Sequence, residues 1–177
     1  MRKLVLFTLF LISYANMCLA SLSMPKDDRW FFVDLSEKPH KMDMWIDYST
    51  IKISKSTELG YRHNDHKAAK VWFLCNYYEL DVKMITYMEF DFECNTTRQL
   101  SNTVYSSDDI IIISKNKEEI SAQPITPGTK SETALSILNE YNKVYKNKER
   151  MDEFIKKEKS YTNKYKKGLL PFQNGEK

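Results

Sequence analysis

The chain is poor in the residues that make linkers: 4 glycines and 5 prolines in 177 residues leave no long flexible segment between elements. It shows no GxSxG-type elbow, no phosphate-binding glycine loop and no paired-carboxylate signature, so residue chemistry offers no catalytic machinery. A net excess of either charge is small too, with 27 Lys and Arg against 24 Asp and Glu. A formal net charge of +3 is too small to argue for nucleic acid. What the chain does have is aromatic side chains, 13% of residues including 11 tyrosines, a content suited to a sheet protein and too high for a disordered one. Its length is enough for one domain with a hydrophobic core.

The first twenty residues read as a removable segment. Arg2 and Lys3 precede the apolar run Leu4 to Ile12, and Cys18-Leu19-Ala20 supplies small residues for cleavage after Ala20. This is a secretory signal, and it is too short for a comfortable transmembrane anchor. The rival reading is a lipoprotein signal with Cys18 lipidated, which Asn16 and Met17 fit poorly. Export sets aside cytosolic enzymes and nucleic-acid binders.

The stretch from Val71 to Ser106 organises the rest. Met88, Phe90, Phe92 and Cys94 alternate with Glu89, Asp91 and Glu93, which puts apolar groups on one face and carboxylates on the other, as in a half-buried strand. In the preceding strand Trp72 and Leu74 alternate with Phe73 and Cys75, so that strand suits cover on both faces. The polar turn Glu79 to Lys83 joins the two as a hairpin, and Gln99 to Ser106 makes a third strand. Before them, Trp30 to Leu35 reads as a strand. So does Met42 to Ile53, with a break at Ser49-Thr50 where Asp47 can hold an Asx-type turn. After them, Asp108-Asp109 is a turn, Ile110 to Ile113 a short apolar run, and Ile120 to Thr126 a last extended piece broken by Pro124.

At Pro127-Gly128 the period changes. Thr129 and Glu132 have capping-box spacing, and Ala134, Ile137, Leu138, Tyr141 and Val144 recur at helical spacing, a face expected to pack on the sheet. Beyond it, Tyr145 to Lys167 is lysine-rich and weakly amphipathic. A heptad seam drawn from Ile137 places Lys148 and Glu158 at apolar positions, so a protruding or fraying helix is expected rather than a coiled coil. The expected fold is α+β: a twisted antiparallel sheet of about six strands with one C-terminal helix packed on it. The expected organisation is a signal peptide over 1–20, the sheet domain with its helix over 21–142, and a lysine-rich helical extension and tail over 143–177.

Candidate sites are few. Cys75 and Cys94 remain after cleavage, an even number that allows a disulfide in an oxidising compartment, with two buried free thiols as the alternative. His63, Asp65 and His66, with His40 as a fourth, lie in a hydrophilic stretch whose histidine spacing matches no established metal motif, and they read as a solvated loop. Asn95-Thr96-Thr97 matches the glycosylation sequon. In the basic segment, Lys156, Lys157, Lys159, Lys164, Lys166 and Lys167 suit electrostatic contact with sulfated glycans, an acidic membrane face or acidic proteins, against the alternative of a solvated helix face. No cofactor or metal is expected.

In their order and spacing, the segments WIDYSTIKI (Trp45 to Ile53), KVWFLCNY (Lys70 to Tyr77), MEFDFECNTTRQLSNTVYSS (Met88 to Ser107) and ITPGTKSETALSIL (Ile125 to Leu138) resemble the surface-adhesin protein E family of Gram-negative bacteria. The likeness covers Trp30 to Asn139. It implies an antiparallel sheet with a C-terminal helix, a location in the periplasm or at the outer-membrane surface, and adhesion to host matrix proteins such as vitronectin and laminin. Family members commonly carry a second cysteine at the end of the terminal helix, where this chain has Leu138-Asn139-Glu140, leaving Cys75 as a substitute partner for Cys94 or Cys94 free. The expected function is that of an exported, non-enzymatic envelope binding protein. The alternative is a periplasmic accessory protein that binds another envelope protein or a small ligand.

Overall fold

The computed structural model describes residues 22, 24–36, 41–55, 66–115 and 122–169. The signal segment, His40, His63 and Asp65 lie outside these, as does the end of the tail.

Among the described residues eight strands form one antiparallel sheet: β1 (Trp30–Ser36), β2 (Met42–Asp47), β3 (Lys52–Lys55), β4 (Lys67–Tyr77), β5 (Val82–Asp91), β6 (Thr96–Ser106), β7 (Ile111–Lys115) and β8 (Gln123–Pro124). The spatial order is β1-β2-β4-β5-β6-β7, with β3 beside the start of β4 and β8 beside the start of β6. Two helices follow, α1 (Lys130–Val144) and α2 (Lys148–Lys166). The class is α+β as expected, with more strands and one more helix than the sequence suggested.

Local chemistry explains the punctuation. The Met42–Ile53 stretch breaks into two strands because Asp47 Oδ1 accepts the backbone N–H of Ser49 at 3.2 Å and its hydroxyl at 2.6 Å, closing a 3₁₀ turn over Tyr48–Thr50. The three hairpin turns after β4, β5 and β6 each contain an Asp or Asn at positive φ: Asp81 (52°), Asn95 (53°) and Asp109 (63°). Short polar side chains tolerate that region best among non-glycine residues. Gly168 (φ 67°) ends α2, with its own N–H and that of Leu169 bonding back to Tyr165 and Lys164 at 2.8 and 2.9 Å. Thr129 takes the N-cap position of α1, yet the capping box is not reciprocal: its hydroxyl donates to the carbonyl of Thr126 at 2.6 Å, and Glu132 accepts from the N–H of Gly128 at 2.6 Å.

The sheet has a packed side on each face. Val71, Phe73 and Cys75 of β4, with Phe90, Ile46 and Val33, meet Ala134, Leu135 and Leu138 of α1. On the opposite face Trp30, Phe32, Trp45 and Leu74 form a second cluster, joined by Tyr165 of α2. Cover on both faces of β4, expected from its continuous apolar run, is what the burial of Phe73, Leu74 and Cys75 displays.

The helix α2 corrects the expectation of a protruding or fraying extension. It is a separate helix, started by Asn147, whose side chain accepts the N–H of Arg150 at 3.1 Å. Phe154 meets Phe31 and Tyr141 edge-on at 6.0 Å in both cases, and Tyr165 stacks on Phe32 at 3.6 Å. Consecutive strand residues point to opposite faces. Contact with both Phe31 and Phe32 therefore carries α2 over the β1 edge from one face to the other. On the way, the Thr162 hydroxyl accepts the Phe32 N–H at 2.9 Å. Glu158, misplaced for an apolar seam, is buried there, and burial raises its pKa while the neighbouring Lys157 charge opposes that rise.

Candidate functional site

Three polar or unpartnered features stand out on this frame. The first is the carboxylate face of β5. Alternation assigned Glu89, Asp91 and Glu93 to solvent, but only Glu93 is exposed. Glu89 and Arg98 are 3% and 2% accessible and pair at 3.2 Å, and Lys70 Nζ reaches the other Glu89 oxygen at 3.2 Å. The register sets Lys70 and Arg98 directly opposite Glu89 on either side, so the charge is neutralised within the sheet. Strand β5 ends at Asp91, leaving Phe92 and Cys94 in the following turn rather than in the alternating run. A second buried polar group sits near the other end: Asp43 accepts from Asn76 Nδ2 at 2.9 Å and from the Tyr78 hydroxyl at 2.5 Å. Desolvation raises the Asp43 pKa, and these two hydrogen bonds act against it.

The second feature is the sheet's outer edge. Among the described residues nothing pairs with the outer side of β7, and Ile110, Ile111, Ile112 and Ile113 are 65%, 59%, 53% and 48% accessible. Because side chains alternate along a strand, isoleucine is exposed on both faces of this edge. The opposite edge, β1, is the one α2 covers.

The third feature joins residues that the sequence kept apart. The β5–β6 turn folds back on the start of β4, where Ala68 faces Asp91 and the Phe92 N–H bonds the Lys67 carbonyl at 3.1 Å. That register brings His66 Nδ1 to 3.3 Å from Cys94 Sγ and 3.5 Å from Asp91 Oδ2. Glu93 lies on the far side of the ring, with Oε2 3.4 Å from His66 Nε2 and Oε1 3.4 Å from the Lys67 N–H. Asp91 is buried and held by its other oxygen, which accepts the N–H groups of Glu93 and Cys94 at 2.9 Å each. Among the described residues, the partners of His66 come from the far end of a hairpin, while His63, Asp65 and His40 lie outside these residues.

The structure also separates the two cysteines. Cys75 is opposite Met84, whereas Cys94 lies beyond Asp91 at the other end of β5. At about 3.3 Å per residue the span from Ala68 to Cys75 alone exceeds roughly 20 Å, far beyond the reach of a disulfide. No bridge forms: Cys75 is buried and Cys94 exposed. Burial pushes the Cys75 thiol up to about 12, with the Asp43 charge adding to the rise and Lys130 opposing it. The sequon residue Asn95 is exposed in the same turn as Cys94.

Of the six lysines, Lys157 and Lys166 lie apart from the surface that the other four share. Lys157 donates to Glu140 at 2.7 Å, Lys159 faces Asp28 at 3.7 Å, and Lys166 donates to the Pro25 carbonyl at 2.7 Å. Lys166 also lies 5.8 Å from the Trp45 ring centroid. These three fasten α2 to the rest of the chain. Lys156, Lys164 and Lys167 are exposed along a shallow surface that also includes Lys159, Asp152 and Leu169.

Among the described residues these features define a class, an α+β protein built on an open antiparallel sheet with one unpaired edge and two C-terminal helices. No family model, curated protein or solved structure matches the chain. Among the described residues no helix is long and apolar enough to cross a membrane.

Proposed function

We propose that this chain is an exported, non-enzymatic binding protein of the bacterial envelope, with adhesion to host matrix proteins as its role. The observation that carries the binding reading is the exposed run Ile110 to Ile113 on and beside β7, an edge strand that no described residue pairs on its outer side. Edge strands with exposed apolar side chains are templates for pairing, and proteins ordinarily cover or charge them. Among the described residues the β1 edge is covered by α2, while β7 is left open with isoleucine on both faces. An extended partner segment adding to β7 gains main-chain hydrogen bonds and buries isoleucine, each worth up to about 1.5–3 kcal/mol when fully covered. Lys156, Lys164 and Lys167 contribute attraction for acidic partners or sulfated glycans at a distance limited by salt screening. The resemblance to the protein E family supports the same direction and supplies the matrix ligands to try.

Solid-phase binding of purified Ser21–Lys177 to vitronectin, laminin and heparin tests the reading. Saturable binding at moderate salt that is lost in an Ile111→Lys/Ile113→Lys variant is the expected result. Absence of saturable binding to all three rejects adhesion. Protease shielding of the protein on whole cells places the role inside the envelope instead.

A further inference from the structure

We infer that His66, Asp91 and Cys94 form a binding site for a zinc-class transition-metal ion, independently of the binding role proposed above. One donor atom from each lies within 4.8 Å of the other two, and the histidine nitrogen is 3.3 and 3.5 Å from the sulfur and the carboxylate oxygen. Bonds of about 2.0–2.3 Å to a tetrahedral zinc ion place its ligand atoms roughly 3.3–3.6 Å apart, so small side-chain rotations bring all three into range. The donor set of one imidazole, one thiolate and one carboxylate is mixed and borderline-soft, which suits Zn²⁺ rather than Ca²⁺ or Mg²⁺.

The surroundings are arranged as a metal site's surroundings usually are. Ligating histidines ordinarily donate their second ring N–H to a carboxylate, which fixes the ring and directs the other nitrogen at the ion. Glu93 occupies that position at Nε2, and it is itself held by the Lys67 N–H. Asp91 commits Oδ1 to two backbone N–H groups, which fixes the carboxylate and leaves Oδ2 facing His66. Glu93 and Asp91 are therefore positioned by the turn before any ion arrives. On binding, the ion takes the Nδ1 lone pair and a sulfur lone pair, and the thiol proton, with any proton on Nδ1, leaves to solvent. Three protein ligands leave a fourth position for water or a further donor. The bound ion would tie the start of β4 to the β5–β6 turn.

Cobalt(II) is the probe, since a thiolate bound to it gives a ligand-to-metal charge-transfer band in the near ultraviolet. The chelator-treated protein is titrated with Co²⁺ and then competed with Zn²⁺. The expected result is a saturable band displaced by Zn²⁺, retained in Cys75→Ser and lost in Cys94→Ser. His66→Gln should weaken binding by about tenfold or more, and Glu93→Gln should weaken it by about tenfold without abolishing the band. A second measurement avoids variants: Zn²⁺ should slow alkylation of Cys94 by iodoacetamide in the unaltered protein, read by mass spectrometry. No band in protein that is folded by circular dichroism, a band that survives Cys94→Ser, unchanged affinity in His66→Gln, or unchanged Cys94 alkylation overturns the assignment.

Discussion

Replacing Glu89 with glutamine should be among the more damaging single changes available in the sheet. The side chain is almost the same size, so packing is preserved and the perturbation is electrostatic. In the native protein Glu89 lies 3.2 Å from Arg98 and 3.2 Å from Lys70, with Glu89 and Arg98 both almost inaccessible. Removing the negative charge takes away the buried carboxylate that lies against the Arg98 guanidinium. Breaking a buried pair in this way costs about 3–5 kcal/mol, against less than about 1 kcal/mol for an exposed pair. For a chain of this size each kcal/mol moves the midpoint by about 2–4 °C, so the loss in Tm should be roughly 6–20 °C. Urea unfolding followed by tryptophan fluorescence and far-ultraviolet dichroism gives the free energy, provided the slope is unchanged. The companion variant Glu89→Leu/Arg98→Met removes both charges and should recover most of the loss, since apolar replacement of a whole buried pair is often neutral or stabilising. A Glu89→Gln cost below about 1 kcal/mol would mean that the pair behaves as a solvated surface pair, and the burial of Glu89 against Arg98 would be wrong.

Two further outcomes follow from the same frame. Thr162→Val keeps the shape of the side chain that meets the β1 edge but removes the acceptor for the Phe32 N–H, and should cost about 1–3 kcal/mol by urea unfolding; no loss would mean that α2 does not seal this edge. Burial raises the pKa of Asp43, so its folded state favours the protonated acid: the stability it contributes is fully present below the unfolded carboxylate range, about 3.9, and is lost as pH rises through the raised folded value. The stability of Asp43→Asn relative to the unaltered protein should therefore increase as pH rises across that window, and a constant difference between the two would refute the shift.

The sequence by itself determined the order of the strands along the chain, because each is bounded by local chemistry that needs no tertiary partner. Asp47 breaks the second stretch, the polar residues around Asp81 and Asp109 turn the chain, and the switch from period two to helical spacing after Gly128 starts α1. Cover on both faces of β4 was legible for the same reason, in an apolar run without a polar side. Three properties were decided only by the fold. Alternation reports that Glu89 lies on the opposite face from Phe90, but not that Arg98 and Lys70 arrive on either side to bury it. The weak amphipathicity of α2 concealed its packing because it crosses an edge, so its contacts spread over two faces instead of one stripe. The grouping of His66 with Asp91 and Cys94 depends on the β4–β5 register, a pairing between segments some 25 residues apart in sequence. Local patterns fix where the backbone turns. Which side chains then meet is a long-range consequence of strand pairing, and no spacing within a single segment records it.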